Sequence, residues 1–168
     1  MLFNLERQPG VTKQNSPKYR LYLANLNDVD VDKWPVSQDA TIDTDVLKTG
    51  KMYNYLDATV KSINPSVGPG ESPLNGILTL TPVIEGISKK SLEWIYKNVG
   101  EDFVVVWERC ADKQLFIAGT PCSSGLKLSY TNIGNLEGGI GGIALQLQGQ
   151  ECPEPFLFYD GPLNVEPD

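Results

Sequence analysis

The chain has 168 residues, with 14 Lys and Arg against 21 Asp and Glu for a net charge of -7, and it contains no His. Without His there is no Ser-His-Asp triad, no Cys-His dyad and no His ligand for zinc, so an enzyme is disfavoured and no cofactor or metal is expected. An acidic chain without clustered Lys or Arg is also ill suited to holding nucleic-acid phosphates or an anionic membrane.

The length fits one domain, 1–168, and 16 Gly with 12 Pro cut it into short elements, which favours an all-β plan. Residues 1–17, broken by Pro9-Gly10 and Ser16-Pro17, read as an N-terminal arm. No signal peptide is expected, because no basic segment leads into a long apolar run, and nothing approaches the roughly 20 apolar residues of a membrane span. The first strand is 18–24, where Tyr19, Leu21 and Leu23 alternate with Arg20 and Tyr22. A long acidic loop, 25–51, follows, with Asp28, Asp30, Asp32, Asp39, Asp43 and Asp45 around Trp34-Pro35. A loop of this length within one domain is usually functional or mobile.

Strand character returns at 52–63, with Met52, Leu56, Ala58 and Val60 on one face and Tyr53 and Tyr55 on the other. Turn residues fill 66–76, and a β-branched strand, 77–84, ends near Pro82 in an edge or bulge. One helix is predicted from Ser88 to Val99, with Ser88 as N-cap, Ile87 and Leu92 as a staple, and Gly100 as the stop. Its apolar face is Leu92, Ile95, Tyr96 and Val99. Residues 102–110 and 114–118 form a hairpin, then strands at 126–131 and 143–150 flank a Gly-rich turn, 134–142. Phe156 to Tyr159, fenced by Pro153, Pro155 and Pro162, is a terminal strand or packed segment of a Pro-rich acidic tail, 151–168. No Lys or Arg follows Lys127.

The later strands alternate cleanly, the pattern of antiparallel sheets. The fold expected is mainly β, an antiparallel β-sandwich or small β-barrel of about seven to eight strands with one short α-helix. Cys110, Cys122 and Cys152 are odd in number and lack C-x-x-C spacing, so they read as reduced packing residues of a cytosolic product.

Three motifs carry weak chemistry. Asp28, Asp30 and Asp32 have calcium-loop spacing, but the required sixth-position Gly is Lys33, which favours a solvated acidic loop. The Gly-rich stretch leads into a strand rather than a helix, so it is a turn and not a phosphate cradle. Glu108 is a candidate for a two-carboxylate glycosidase, with a solvent-facing strand residue as the plain alternative. Trp34, Tyr53, Tyr55, Trp94 and Trp107 are either a sugar-stacking platform or packing residues.

The 25–51 excursion between two strands, the Ser88 to Val99 helix between sheet halves, and the Gly-rich turn before Ile143-Ala-Leu-Gln-Leu-Gln-Gly149 together resemble the tail-tube family of tailed phages. That family is similar in fold to the haemolysin-coregulated protein of type VI secretion tubes. The resemblance is one of layout over most of the chain. It implies a virion structural protein, made in the bacterial host cytoplasm, that forms hexameric rings stacked as a hollow tail tube. Its partners would then be itself and other tail proteins, and DNA would pass without specific binding. Asp28, Asp30, Asp32, Trp34, Asp39, Asp43 and Asp45 would be inter-subunit contacts, assisted by the arm. The alternative is a monomeric β-sandwich binding module with carbohydrate as its ligand class.

Overall fold

In the computed structural model, residues 2–6, 19–34, 39–59, 62–119, 124–134 and 141–168 are described. The strands are β1 (Tyr19–Asn25), β2 (Thr41–Ile42), β3 (Asn54–Ala58), β4 (Ser66–Pro69), β5 (Gly76–Leu80), β6 (Val83–Glu85), β7 (Asp102–Glu108), β8 (Leu115–Ala118), β9 (Leu126–Gly134), β10 (Gly142–Gly149) and β11 (Phe156–Tyr159), and the helix is α1 (Lys89–Asn98). The protein is thus mainly β with one α-helix among the described residues, and no helix there is long and apolar enough to cross a membrane.

The sheet is organised around β7. Its Phe-Val-Val-Val-Trp run is buried on both faces, as near-continuous apolar strands are. Phe103, Val105 and Trp107 face one core, while Val104 and Val106 face another. One edge of β7 pairs with β1, and the other pairs first with β8 and then with β9. Gly119 lies where the chain passes from β8 towards β9, and a Cβ there would sit 2.7 Å from the Phe103 carbonyl oxygen of β7. Glycine permits that close approach.

From β7 the ladder continues through β1 to β3 on one side and through β9 to β10 on the other. β5 and β6 both pair with β10, as two pieces of one strand interrupted at Pro82. Just beyond β3, the Thr59 amide donates to the Val83 carbonyl at 2.9 Å, which closes the circuit β7, β1, β3, β6, β10, β9 into a barrel. Strands β8, β11 and β2 extend from β7 as a wing. The pairing is antiparallel except between β11 and β2 and at the isolated bridges from Leu5 to Leu56 and Tyr53 to Val165.

The barrel core is filled by alternating strand residues such as Leu21, Leu23, Leu78, Leu80, Leu126, Leu128, Leu145 and Leu147. Helix α1 has the expected Ser88 cap, reinforced by a reciprocal capping box with Ser91, and Gly100 at φ +86° follows its end. Its buried face is Ser91, Trp94, Ile95 and Asn98, rotated by one residue from the expected stripe, and Tyr96 is 66% exposed. Trp94 decides the rotation: its large ring is buried, and its indole N–H donates to the Phe3 carbonyl at 2.9 Å.

The second core shows that the 25–51 excursion is not an open loop in its described parts. Val29, Ile42, Val46 and Leu47 are buried there with Ala24, Tyr53, Ile117, Leu157 and Tyr159. The Asp30 amide donates to the Val46 carbonyl at 2.8 Å, and the Lys48 amide to the Asp28 carbonyl at 2.9 Å. Burying each Val, Ile or Leu side chain contributes about 1.5–3 kcal/mol, enough to anchor the segment over the sheet.

Residues near both chain ends lie along β3. Leu5 is buried and exchanges 2.9 Å hydrogen bonds with Tyr55 and Asp57, while Tyr53 does the same with Asn164 and Glu166 at 2.8 Å. Residues 7–17 of the expected arm lie outside the described residues. Met52, expected to share the face of Leu56, is exposed because β3 begins only at Asn54, and Val60 lies outside the described residues. The three-thiol reading is corrected: Cys110 is free and exposed, but Cys152 is fully buried and disulfide-bonded, with its partner outside the described residues. Spacing along the chain did not reveal this, because pairing depends on Cβ separation in space.

Candidate functional site

The acidic excursion uses several of its carboxylates locally. Asp28 forms an ion pair with Lys51 at 3.2 Å. Asp30 accepts the Asp32 amide at 3.2 Å and lies 3.8 Å from Lys33, while Asp45 accepts the Leu47 amide at 3.0 Å. The two amide contacts satisfy backbone donors at turns, the usual task of Asp outside regular elements. Asp32, Asp39 and Asp43 are exposed, and Trp34 packs half-buried against the second core. Among the described residues no three His, Cys, Asp or Glu side chains gather as a metal set, so the 28, 30, 32 spacing does not become a calcium cage.

Burial takes four of the five aromatics of the sugar-platform reading out of solvent, and the fifth, Trp34, is half-buried. Tyr53, Tyr55, Trp94 and Trp107 are each at most 3% exposed, because the large rings fill the two cores and the cover over β3. A further aromatic group runs from buried Trp107 and Phe116 out to Phe156 and Phe158, which are exposed. Trp107 stacks on Phe116 at 5.9 Å between centroids, and Phe116 contacts Phe156 at 5.7 Å and Phe158 at 4.9 Å. Phe116, Phe156 and Phe158 share a face because β8 and β11 pair Phe158 with Phe116, while Leu157 and Tyr159 turn towards the second core.

Trp107, Phe116 and Phe156, with Tyr19, Ile63 and Pro65, border a cleft of about 400 Å³ at the end of β7. Its mouth carries Glu108, Arg109 and the free Cys110. The Arg109 guanidinium lies 5.1 Å above the Phe116 ring and grips Asp112 through two hydrogen bonds of 2.9 and 2.5 Å. That grip holds the Asp112 carboxyl at about 2, well below its ordinary value. Glu108 is exposed, as its plain reading expected.

A second cleft, of about 480 Å³, is lined by residues near both chain ends, Asn4, Glu6 and Asp168 among them, and by Lys90 of α1. The Tyr55 hydroxyl contacts both Glu6, at 2.8 Å, and Asp168. The Tyr55 hydrogen bond is the leading cause that holds the Asp168 carboxyl below its ordinary value. A carboxyl kept ionised is the reverse of what a glycosidase general acid requires.

No protein-family model, curated protein or solved structure matches this chain.

The sheet edges differ in protection. β2 is two residues long, and β4 carries Gly68 and Pro69, both devices that blunt an edge. β9 pairs with β7 only near Leu126 and Lys127, so from Ser129 to Gly134 it has β10 on one side and no backbone partner among the described residues on the other. Ser129, Tyr130, Thr131 and Asn132 are exposed and uncharged. The sequence signal was present in Ser-Tyr-Thr-Asn-Ile, a strand stretch without charge or Pro, but which edges remain open depends on the pairing.

Proposed function

We propose that this protein is a structural subunit that joins copies of itself through exposed sheet edge into rings stacked as a tube, as its resemblance to the tail-tube family implies. The observation that carries the reading is the unblunted edge from Ser129 to Gly134 in a molecule whose other sheet ends are short or carry Pro. Such an edge invites pairing with another chain, and a closed ring removes it from solvent. The ring is hexameric in this reading, the tube passes DNA in the virion, and the net charge of -7 repels the phosphates. The exposed carboxylates of Asp32, Asp39 and Asp43 are offered as contacts to a neighbouring subunit. Less supports the binding-module alternative, since Tyr53, Tyr55, Trp94 and Trp107 of its aromatic set are buried.

Negative-stain microscopy and light scattering of the purified chain test the proposal. Rings or tubes are expected for the natural sequence. Tyr130→Lys with Asn132→Lys, both at exposed side chains, should leave the fold intact and abolish rings. A strict monomer at high concentration would sink the reading.

A further inference from the structure

We infer that the aromatic cleft at the end of β7 receives the tip of the β4–β5 hairpin from a second copy of the chain, with Leu74 as the inserted side chain. This rests on the self-association proposed above and names a contact that makes it directional. Leu74 is 83% exposed, the most exposed large apolar side chain among the described residues. It sits in a turn, where Gly, Asn, Asp and Ser are the usual choices, and adds nothing to either core.

The turn is held in shape: the Gly70 amide donates to the Asn75 carbonyl at 3.1 Å, the Asn75 amide to the Ser72 carbonyl at 3.1 Å, and the Ser72 amide to the Glu151 carboxylate at 2.8 Å. A pre-ordered knob loses little entropy on docking. The receiving cleft is walled by Tyr19, Trp107, Phe116 and Phe156 and is large enough for a Leu side chain with the Pro73 ring beside it.

Pro65 of the cleft wall leads directly into β4, so one hairpin has the cleft at its base and the knob at its tip, about 13 Å away along a four-residue strand at about 3.3 Å per residue. A hairpin cannot fold back onto its own base, so the knob must find the cleft of another molecule. The charges match as well. Glu71 is exposed beside the knob, and Lys113 is exposed beside the cleft, where Arg109 is already engaged by Asp112; neither Glu71 nor Lys113 has an ion pair among the described residues. Knob and cleft are different surfaces, and in the head-to-tail arrangement inferred here the contact propagates as a ring or stack instead of closing reciprocally as a two-fold dimer. An open β9 edge alone would equally allow a two-fold dimer.

Cys110 lines the cleft and supplies the test. With oxidised glutathione as oxidant, Leu74→Cys should crosslink to the native Cys110 of the next copy and give a ladder extending past the dimer on a non-reducing gel. The ladder should vanish in Leu74→Cys with Cys110→Ser. Leu74→Asp, at a position that touches neither core, should weaken association at least about tenfold with an unchanged circular dichroism spectrum. Glu71→Lys should also weaken it, and Glu71→Lys with Lys113→Glu should restore it. Rings that persist in Leu74→Asp would overturn the contact and leave the ring proposal standing, whereas a natural chain that never assembles would overturn both. A crosslinked species that stops at the dimer, or a small molecule co-purifying in the cleft, would also overturn it.

Discussion

The barrel core and the second core share β7, yet they are built from different kinds of sequence. The barrel interior is lined by strands that alternate apolar and polar residues, and β10, with buried Ile143, Leu145, Leu147 and Gly149, is the clearest. The second core collects isolated apolar residues from an acidic segment, the outer face of β7 and the tail after Pro155. One core is written in periodicity and the other in long-range contacts. The difference teaches that a polar stretch can be structural when a few of its residues meet an already formed apolar face.

Perturbations of matched type should separate the two cores. Phe103→Ala, in the barrel, should cost about 3–5 kcal/mol and lower the denaturation midpoint of the whole molecule. Leu47→Ala, in the second core, should cost about 2–5 kcal/mol and raise hydrogen exchange in the described parts of 25–51 before the barrel. Equal loss of protection in both regions would show that they are one cooperative unit.

Alkaline pH should act on the second core first. Burial pushes the Tyr159 hydroxyl up to about 12, with Asp45 adding to the effect, and raises Tyr53 still further. Both are neutral in the folded protein, whereas an unfolded Tyr ionises near 10.0. Their contribution is therefore fully present below pH 10.0 and is lost as the pH rises through the folded values. Trp34 packs against the second core while Trp94 and Trp107 belong to the barrel. A single-Trp variant retaining Trp34 should thus report the loss at lower pH than one retaining Trp94. Coincident transitions would contradict the separation.

The smallest effects test the helix whose Trp94 and Ile95 join the barrel core. Ser88→Ala should cost about 1 kcal/mol through loss of the cap and its box. Tyr96→Ser should cost under about 0.5 kcal/mol, because this member of the expected apolar face is exposed. Thermal melts of the two variants distinguish the observed face from the expected one.

Much of the barrel was legible: the alternation of β1, β9 and β10, the doubly apolar run of β7, and the cap and stop of α1 all lie within short windows. The candidate site was far less so. The cleft needs Phe116, Phe156 and Trp107 from three strands, and only the β8 pairing with β7 and β11 brings them onto one face. The acids of 25–51 were conspicuous, yet Asp30 and Asp45 accept backbone amides two residues on and Asp28 pairs with Lys51, contacts that composition does not reveal.

By itself the sequence determined that this is a β-rich chain with one capped helix, no imidazole and an acidic surface, since those properties follow from composition and local periodicity. Only the tertiary structure decided that the described parts of the excursion join a second core, that Tyr53, Tyr55, Trp94 and Trp107 are interior, and that the edge of β9 and the knob of Leu74 are left outward. Burial and edge exposure belong to pairs of elements distant in the chain, and no local window contains both members of the pair.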